Sequence, residues 1–171
     1  AQLSFMRSQS LGVKTNQTLV VKFPGHTEGL NTKLEAMKKT IARLPLVYQV
    51  TFSGAVPGEE VATFLSNRRT NDALKQNRLY EMLACDPDYV DADGLQVVAG
   101  RNFSEDYGDD VDKLVINETA VRNLGFTSND EAIGELVNVE CTDAPMQIIG
   151  VVKDYHQQAL SKNYTPIMLI H

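Results

Sequence analysis

The alternation of apolar and polar positions between residues 94 and 126 predicts a strand, an acidic loop, a second strand and a short helix. The first apolar run is Val97 to Ala99, and the second, mostly β-branched run is Leu114 to Ile116. Asn117 follows where a helix N-cap is expected, because its side-chain oxygen can accept hydrogen bonds from free backbone N–H groups. Apolar residues at helical spacing then run to Gly125, a residue type that commonly ends a helix.

The first third of the chain contains a strong helix signal between two strand signals. Residues 17–23 are rich in β-branched side chains and stop at a Pro-Gly pair, which predicts a strand. Thr32 and Glu35 form a capping-box pattern, and Pro45 marks the end of the helix that follows. The predicted buried face of this helix consists of Leu34, Met37, Ile41 and Leu44. Residues 48–52 alternate between apolar and polar side chains and predict a strand with one buried face.

The rest of the chain adds shorter elements. Residues 59–78 are polar and of mixed charge, so we expect a long excursion that contributes little to the core. Residues 79–85 predict a strand, and Asp86 with Pro87 predicts the capped start of a short helix that ends near Gly94. Further strands are predicted at 136–140, 146–152 and 167–170, the last opened by Pro166. Together these elements predict an α+β fold with a mixed sheet and helices packed on one face.

Charge and composition exclude several classes of function. The 171 residues carry 16 Lys plus Arg against 22 Asp plus Glu, a formal net charge of -6, so nucleic acid is not an expected partner. No apolar stretch reaches the roughly 20 residues of a membrane span. The chain starts without a methionine or a signal-peptide core, and we therefore expect a piece of a longer protein. Cys85 and Cys141 lack a CxxC spacing, which leaves a disulfide or two free thiols as alternatives.

The sequence contains no recognisable set of catalytic or metal-binding motifs. Its histidines, none of which has the spacing of a zinc site, are His26, His156 and His171. The acidic loop 105–112 lacks the register of a calcium loop, so we interpret it as a solvated acidic surface. Phosphate-binding glycine motifs and a GxSxG motif are absent. We predict no catalytic residue, no metal site and no cofactor, and we interpret Glu118 as an acidic first helical turn beside Asn117.

Several short motifs follow one another along the chain. They are Arg7 to Gly12, Pro57-Gly58, Ala99 to Ser104, Val115 to Ala120, Leu124 to Phe126, Ile149 to His156 and Pro166. In this order the sequence resembles the extracytoplasmic (periplasmic core) domain of FtsX/MacB-type ABC-transporter permeases, over about residues 5 to 170. The residues that carry the resemblance are expected to specify the fold and not to form a reactive site. They are Gly100, Arg101, Phe103, Asn117, Glu118, Gly125, Gly150, Asp154 and Pro166.

The resemblance implies a porter-like α+β lobe with a smaller inserted lobe, on the periplasmic or extracellular face of the cytoplasmic membrane, within an integral membrane protein. Residues 1–16 would approach from a preceding membrane helix, 17–100 and 148–171 would form the porter-like lobe, and 101–147 the inserted lobe. Such a domain is not an enzyme and transmits ATP-driven conformational change to a substrate or partner protein. The implied partners are the flanking transmembrane helices, a cytoplasmic ATPase subunit that hydrolyses the ATP, and a periplasmic adaptor or substrate protein.

The residues alone leave two other functions open. An extracytoplasmic ligand-binding or sensor domain would need a concave pocket with a few convergent polar groups. A hydrolase that uses the carboxylate of Glu118 or Asp154 would need at least two such groups facing one cleft.

Overall fold

The protein is built around one mixed β-sheet. The computed structural model describes residues 12–13, 17–23, 30–108, 110–158 and 163–171. In these ranges the sheet has seven strands, β1 (Phe64–Arg69), β2 (Arg78–Ala84), β3 (Val97–Gly100), β4 (Lys113–Asn117), β5 (Leu136–Asn138), β6 (Met146–Val152) and β7 (Ile167–Ile170). The α-helices of the same ranges are α1 (Leu30–Ile41), α2 (Tyr89–Ala92), α3 (Glu118–Asn123) and α4 (Asn129–Ala132).

The strands lie in the order β3-β6-β4-β7-β2-β1-β5, and β5 also pairs with β6, so that all strands except β3 close into a ring. β4 runs parallel to β6 and antiparallel to β7, while β2 runs parallel to β7. β3 and β5 both pair antiparallel with β6. This topology places the start of α3, which follows β4 directly, beside the end of β6 and the start of β7.

Both faces of the sheet are buried. Side chains of successive strand residues point to opposite faces, and each face packs against its own group of apolar residues. One face packs Leu114, Ile116 and Ile148 against Ala120 and Val121 of α3. The opposite face packs a second group, which includes Val115, Ile149, Leu169, Tyr89 of α2, and the loop residues Phe103 and Tyr155. The predicted α+β class with a mixed sheet is therefore confirmed, and the helices lie on both faces of the sheet instead of on the one face that we expected.

The elements predicted from residue 79 onward are confirmed in type and close to their predicted bounds. β2, β3, β4, β6 and β7 occupy the predicted apolar runs, and β7 begins directly after Pro166. β5 and β6 form the predicted pair, in which Leu136 lies opposite Gln147. The segment 101–147 contributes β4 to the same sheet, between β6 and β7. The division into a porter-like lobe and an inserted lobe stays a prediction.

Residues 17–23 do not form a strand, so that prediction is wrong. Within the described part of the chain none of them pairs with a strand, and Leu19 and Val21 are exposed. A β-branched run shows only that the residues tolerate an extended backbone, whereas a strand also needs a neighbour for its N–H and C=O groups. The Pro-Gly pair predicted to end the strand lies outside the described residues.

The helix predicted after residue 30 is confirmed as α1, but its start and its burial differ from the expectation. Because α1 begins at Leu30, Thr32 lies inside the helix and not at its N-cap. The helix ends at Ile41, before Pro45 is reached. Of the predicted buried face, Leu34, Met37 and Ile41 are half-buried and Leu44 is exposed.

Residues 48–52 are not a strand with one buried face either. Tyr48 is 95% exposed. An isolated bridge between Ser53 and Cys85 is the β-type pairing found here among the described residues. The bridge lies one residue beyond this segment and one residue beyond β2, so the alternating residues 48–52 do not belong to the sheet.

Residues 59–78 contain β1 and the first residue of β2, so the expected excursion outside the core is wrong. β1 pairs antiparallel with β2 and with β5. Its central Asn67 is fully buried, and its Nδ2 donates to the sulfur atoms of Met82 (3.2 Å) and Met168 (3.3 Å). A buried polar residue breaks the apolar pattern from which strands are predicted.

Candidate functional site

Asn117, the predicted N-cap, lies at the centre of the contacts made by the motif residues. Its Oδ1 accepts hydrogen bonds from the backbone N–H groups of Ala120 (2.9 Å) and Ile167 (3.0 Å), and its Nδ2 donates to the carbonyl of Thr165 (2.8 Å). Pro166 lies between the last two contacts. The buried side chain of Asn117 therefore caps α3 and also holds the start of β7 in place.

Glu118 and Asp154 join α3 to the loop after β6. Glu118 Oε2 accepts from the backbone N–H of Asp154 (3.1 Å). Asp154 accepts from the backbone N–H of Thr119 (2.8 Å) and from Nη2 of Arg122 (2.7 Å). Both carboxylates thus bind backbone groups near a helix N-terminus, where negative charge is favoured. The hydrolase alternative, which needs two free carboxylates facing a cleft, has no support at these residues.

Gly100 and Gly150 lie opposite each other where β3 pairs with β6. Gly100 has a φ of 66°, and a β-carbon there would overlap the backbone oxygen of Ile149. A β-carbon at Gly150 would overlap the backbone oxygen of Arg101. The strands therefore approach so closely that neither position has room for a side chain. Gly125 ends α3 with a φ of 84°, as predicted.

Arg101 forms a bidentate ion pair with Asp110, an acidic residue that we expected to be solvated. Both N···O distances are 2.8 Å, and the backbone N–H of Ser104 donates to the same carboxylate (3.1 Å). Asp110 is only 3% exposed, so the interpretation of this loop as a solvated surface is wrong at this residue. Hydrogen bonds from Arg101 hold the pKa of Asp110 below its usual value. Arg101 also lies 4.4 Å from the ring centre of Tyr107, and Phe103 is buried in the core.

Asp86 does not cap α2, contrary to the prediction, because α2 begins after Asp88. Asp86 is buried and accepts hydrogen bonds from Lys38 Nζ (2.6 Å), Thr51 Oγ1 (2.5 Å) and the backbone N–H of Phe52 (3.1 Å). Lys38 Nζ also lies 2.5 Å from the carboxylate of Asp88. These contacts join α1 to the corner between β2 and α2. Sequence patterns did not reveal these contacts, since Lys38 and Asp86 lie 48 residues apart in the chain.

Buried ionisable groups occur on the α2 side of the core. The hydroxyls of Tyr89 and Tyr155 and the carboxylate of Asp93 are buried beside one another without a well-aligned hydrogen bond between them. Burial raises the pKa of all three groups, so the tyrosines are neutral near pH 7 and cannot act as bases. Cys85 is buried and Cys141 is exposed, and both are free thiols, which decides between the two alternatives for the cysteines.

The two histidines that the structure describes, His156 and His171, contact aromatic rings, and Nδ1 of His171 lies 3.4 Å from the backbone oxygen of Cys85. The ring of His156 packs against Tyr164 with 4.4 Å between ring centres, and the ring of His171 lies 6.1 Å from that of Phe103. His26 lies outside the described residues. Across the described ranges, no three His, Cys, Asp or Glu side chains are grouped in a way that could hold a metal ion.

A cavity of about 310 Å³ lies between the loop that joins β1 to β2 and the end of α3. Its lining includes Arg68, Arg69, Arg78, Asp72 and Tyr80. Burial raises the pKa of Tyr80 to about 12. The lining therefore mixes charged side chains with apolar ones such as Leu74 and Leu124, unlike the mostly apolar pockets that bind small molecules.

The geometry first defines a class of protein. It is an α+β domain in which the motif residues join the ends of helices and strands, and in the described part of the chain these residues do not assemble a reactive centre. The sequence profile of the MacB-like periplasmic core domain matches residues 3–170, and the chain therefore belongs to this family.

Solved structures share the fold. The periplasmic region of MacB from Actinobacillus actinomycetemcomitans has a TM-score of 0.50 and 21% identity, covering 80% of this chain and 53% of that one. A domain of a putative permease protein from Porphyromonas gingivalis has a TM-score of 0.51 and 17% identity, covering 77% of this chain and 54% of that one. The extracellular domain of the noncanonic ABC-type transporter YknZ from Gram-positive bacteria has a TM-score of 0.56 and 19% identity, covering 80% of this chain and 60% of that one.

These similarities support the fold, and the chain spans between about half and three fifths of the length of these structures. The comparison with curated proteins gave no match. Membership of the family locates the domain on the periplasmic or extracellular side of the membrane, as part of an ABC-transporter permease. Within the ranges described above, every helix is too short or too polar to cross a bilayer.

Proposed function

We propose that this domain transmits ATP-driven conformational change from the membrane part of an ABC-transporter permease to a substrate or partner protein. The interlocked start of α3 supports this role most directly. Asn117 ties α3 to β7, and the paired contacts of Glu118 and Asp154 tie α3 to the loop after β6. A displacement of one of these elements is therefore passed to the others, which is the property that a coupling domain needs.

The same contacts suit the proposed division of the chain into two lobes. Residues 17–100 and 148–171 would form the porter-like lobe, and 101–147 the smaller inserted lobe. Glu118 belongs to the second lobe and Asp154 to the first, so their hydrogen bonds would connect the two. Movement that enters through one lobe would reach the other without an intervening flexible linker.

The partners follow from this role. The domain would be held by the flanking transmembrane helices of the full-length permease and would act on a periplasmic adaptor or substrate protein. ATP would be hydrolysed by a cytoplasmic ATPase subunit, since the sequence of this chain has no phosphate-binding glycine motif. The motif residues would then specify shape and stiffness and perform no reaction.

Hydrogen exchange in the full-length permease, assembled with its ATPase, tests this proposal. We expect the exchange rates of the domain to differ between the nucleotide-free and the vanadate-trapped states. Asp154→Asn, which weakens the contact between α3 and the β6 loop, should keep ATP hydrolysis near the wild-type rate and reduce that difference. Asp112→Asn changes an exposed carboxylate and serves as the control. Identical exchange of the wild-type domain in both states would overturn the proposal.

A further inference from the structure

The segment that contains α1 and the turn after it is basic, although the chain as a whole is acidic. Residues 30–48 contain four Lys and Arg residues against one Glu, whereas the rest of the chain contains 12 Lys and Arg residues against 21 Asp and Glu residues. The formal charge is therefore +3 within 30–48 and -9 outside it, which together give the -6 of the chain. Positive charge concentrated on one element of an acidic protein indicates an anionic partner.

Three of the four basic side chains of this segment face the solvent. Lys33, Lys39 and Arg43 are exposed, and none of them forms a salt bridge with the described part of the chain. Lys38, by contrast, is half-buried and pairs with two carboxylates of the chain. The charges of Lys33, Lys39 and Arg43 are therefore available to a partner.

Large apolar side chains are exposed directly after these charges. Leu46 is 88% exposed and Tyr48 is 95% exposed, and Leu44 is exposed as well. Large exposed apolar side chains that lie together mark sites of contact with a protein or a membrane. We call these residues and the three free cations the α1 surface, which consists of Lys33, Lys39, Arg43, Leu44, Leu46 and Tyr48.

The backbone of Leu46 has a conformation that favours glycine. The backbone N–H of Val47 donates to the carbonyl of Leu44 (3.2 Å) and closes a turn with Pro45 in its second position. Leu46, in the third position, has a φ of 73°, at which a leucine is strained and a glycine is not. Because Leu46 gains no burial in return within the described chain, a contact outside the domain would explain why an apolar side chain stands there.

A bilayer fits this combination of groups better than a protein segment does. Lys and Arg attract anionic lipid headgroups, and Tyr and Leu side chains enter the layer between the headgroups and the acyl chains. Peptide segments are bound in grooves or at sheet edges, whereas Leu46 and Tyr48 stand clear of the protein surface. As part of a permease, the domain lies outside the cytoplasmic membrane and has a bilayer surface beside it.

We propose that the α1 surface docks on an anionic bilayer. Lys33, Lys39 and Arg43 contact the lipid phosphates, and Leu46 and Tyr48 lie in the headgroup layer. The site goes beyond the coupling role proposed above and does not depend on it, because docking is a property of the domain itself.

A tryptophan at position 48 tests the docking directly, since the chain contains no tryptophan of its own. The domain with Tyr48→Trp is titrated with vesicles of equal parts of phosphatidylcholine and phosphatidylglycerol, and with vesicles of phosphatidylcholine alone. We expect its emission to shift to shorter wavelength with the anionic vesicles only, to be quenched by brominated lipids, and to shift less at high salt. Tyr107→Trp, which labels an exposed tyrosine outside the α1 surface, should show no shift.

Co-sedimentation with the anionic vesicles tests the charges. Lys39→Gln and Arg43→Gln should each weaken binding about fivefold, the contribution of one basic residue near an anionic membrane surface. Lys75→Gln is the matched control, since it removes one positive charge from an exposed residue outside the α1 surface and should leave the affinity unchanged.

The proposal is wrong if the anionic vesicles do not shift the emission of Tyr48→Trp, or if they shift that of Tyr107→Trp equally. It is also wrong if Lys75→Gln and Arg43→Gln weaken binding to the same extent. If poly-glutamate, which offers carboxylates and no bilayer, gives the same shift as the anionic vesicles, the partner is an acidic protein and the proposal fails.

Discussion

Asp110 is a buried carboxylate in a loop whose residues 106–108 are exposed. Arg101 binds both of its oxygens, and the backbone N–H of Ser104 adds a third hydrogen bond. Hydrogen bonds to charged groups contribute about 1.5–3 kcal/mol. Removal of one member of a buried ion pair costs more free energy than the intact pair contributes to stability, because the remaining charge is buried without a partner.

We expect Asp110→Asn to lower the free energy of unfolding by about 2 kcal/mol at pH 7, since Arg101 loses its anionic partner. Urea denaturation followed by circular dichroism measures this change. Asp112→Asn removes a neighbouring exposed carboxylate that pairs with Lys113, and it should change stability by less than about 0.5 kcal/mol. Equal losses in the two variants would contradict this account of Asp110.

The effect of pH has a defined sign. Because the folded-state pKa of Asp110 is lowered, its contribution is fully present above the unfolded-state pKa, about 3.9, and is lost as pH falls through the folded-state pKa. The difference in stability between the wild type and Asp110→Asn should therefore be constant from neutral pH to about 5 and should shrink below about pH 4. Urea denaturation of both proteins at several pH values measures this difference.

Asn117 and Asp86 differ in how much of their role the sequence could predict. The bond from Ala120 to Asn117 spans three residues, a local offset that the capping pattern encodes. The bond from Ile167 to the same oxygen spans 50 residues and depends on how β4 pairs with β7. Asp86 is bound by Lys38 across 48 residues, and a local pattern therefore suggested a cap where the fold makes an ion pair.

The clearest predictions were β4 and β6, the strands that are buried on both faces. Nearly all residues of β4 and β6 are buried, and most of them are apolar, which gives the strong apolar signals at 114–116 and 148–152. β1 is mostly half-exposed and polar, and its position in the sheet comes from pairing with β2 and β5. Residues 17–23 have the converse pattern, with a strand-like composition and no strand partner in the described chain. The amino-acid composition of a segment shows whether its residues tolerate an extended backbone. Whether the segment pairs with a strand depends on residues that are distant in the sequence.

The two capped helices allow a direct comparison. We expect Asn117→Ala to cost about 2–3 kcal/mol, because α3 loses its cap and the backbone N–H of Ile167 loses a buried acceptor. Ser128→Ala removes only the hydroxyl that accepts from the backbone N–H of Glu131 (3.2 Å) and should cost about 1 kcal/mol. Calorimetric unfolding of both variants measures the costs. If the two costs are equal, Asn117 acts as a cap alone.

Across the whole molecule, the strand ring and α1 are held in different ways. Each strand of the ring is bonded on both sides, apart from unpaired stretches at strand ends. α1 has a half-buried apolar face and is joined through Lys38 to Asp86 and Asp88. Stability is not uniform across a fold, and regions with few buried contacts open at lower cost. α1 should therefore open before the ring does.

We expect Lys38→Met to speed amide exchange in α1 by about three- to tenfold, with no change in β4 and β6, since the variant removes the ion pairs of α1 and none within the ring. Hydrogen exchange with mass spectrometry measures both regions at once. Lys39→Met, the adjacent exposed lysine, should leave α1 unchanged. Faster exchange throughout the sheet would mean that α1 and the ring open as one unit.

The fold class and the family were within reach of the sequence because the motifs keep their order along the chain. The cavity was not. The residues that line it come together only when β1 pairs with β2 and α3 ends beside them. A cavity built from three separate segments leaves no spacing that a motif could encode.

The free cysteines give this domain an intrinsic attachment point for spectroscopy. Cys141 is exposed in the turn between β5 and β6, while burial raises the pKa of the Cys85 thiol and keeps it from forming the reactive thiolate. A maleimide-linked fluorophore or spin label should therefore react at Cys141 and not at Cys85 in the folded domain. Labelled copies of the permease could then report distances during ATP turnover without any engineered residue in this domain.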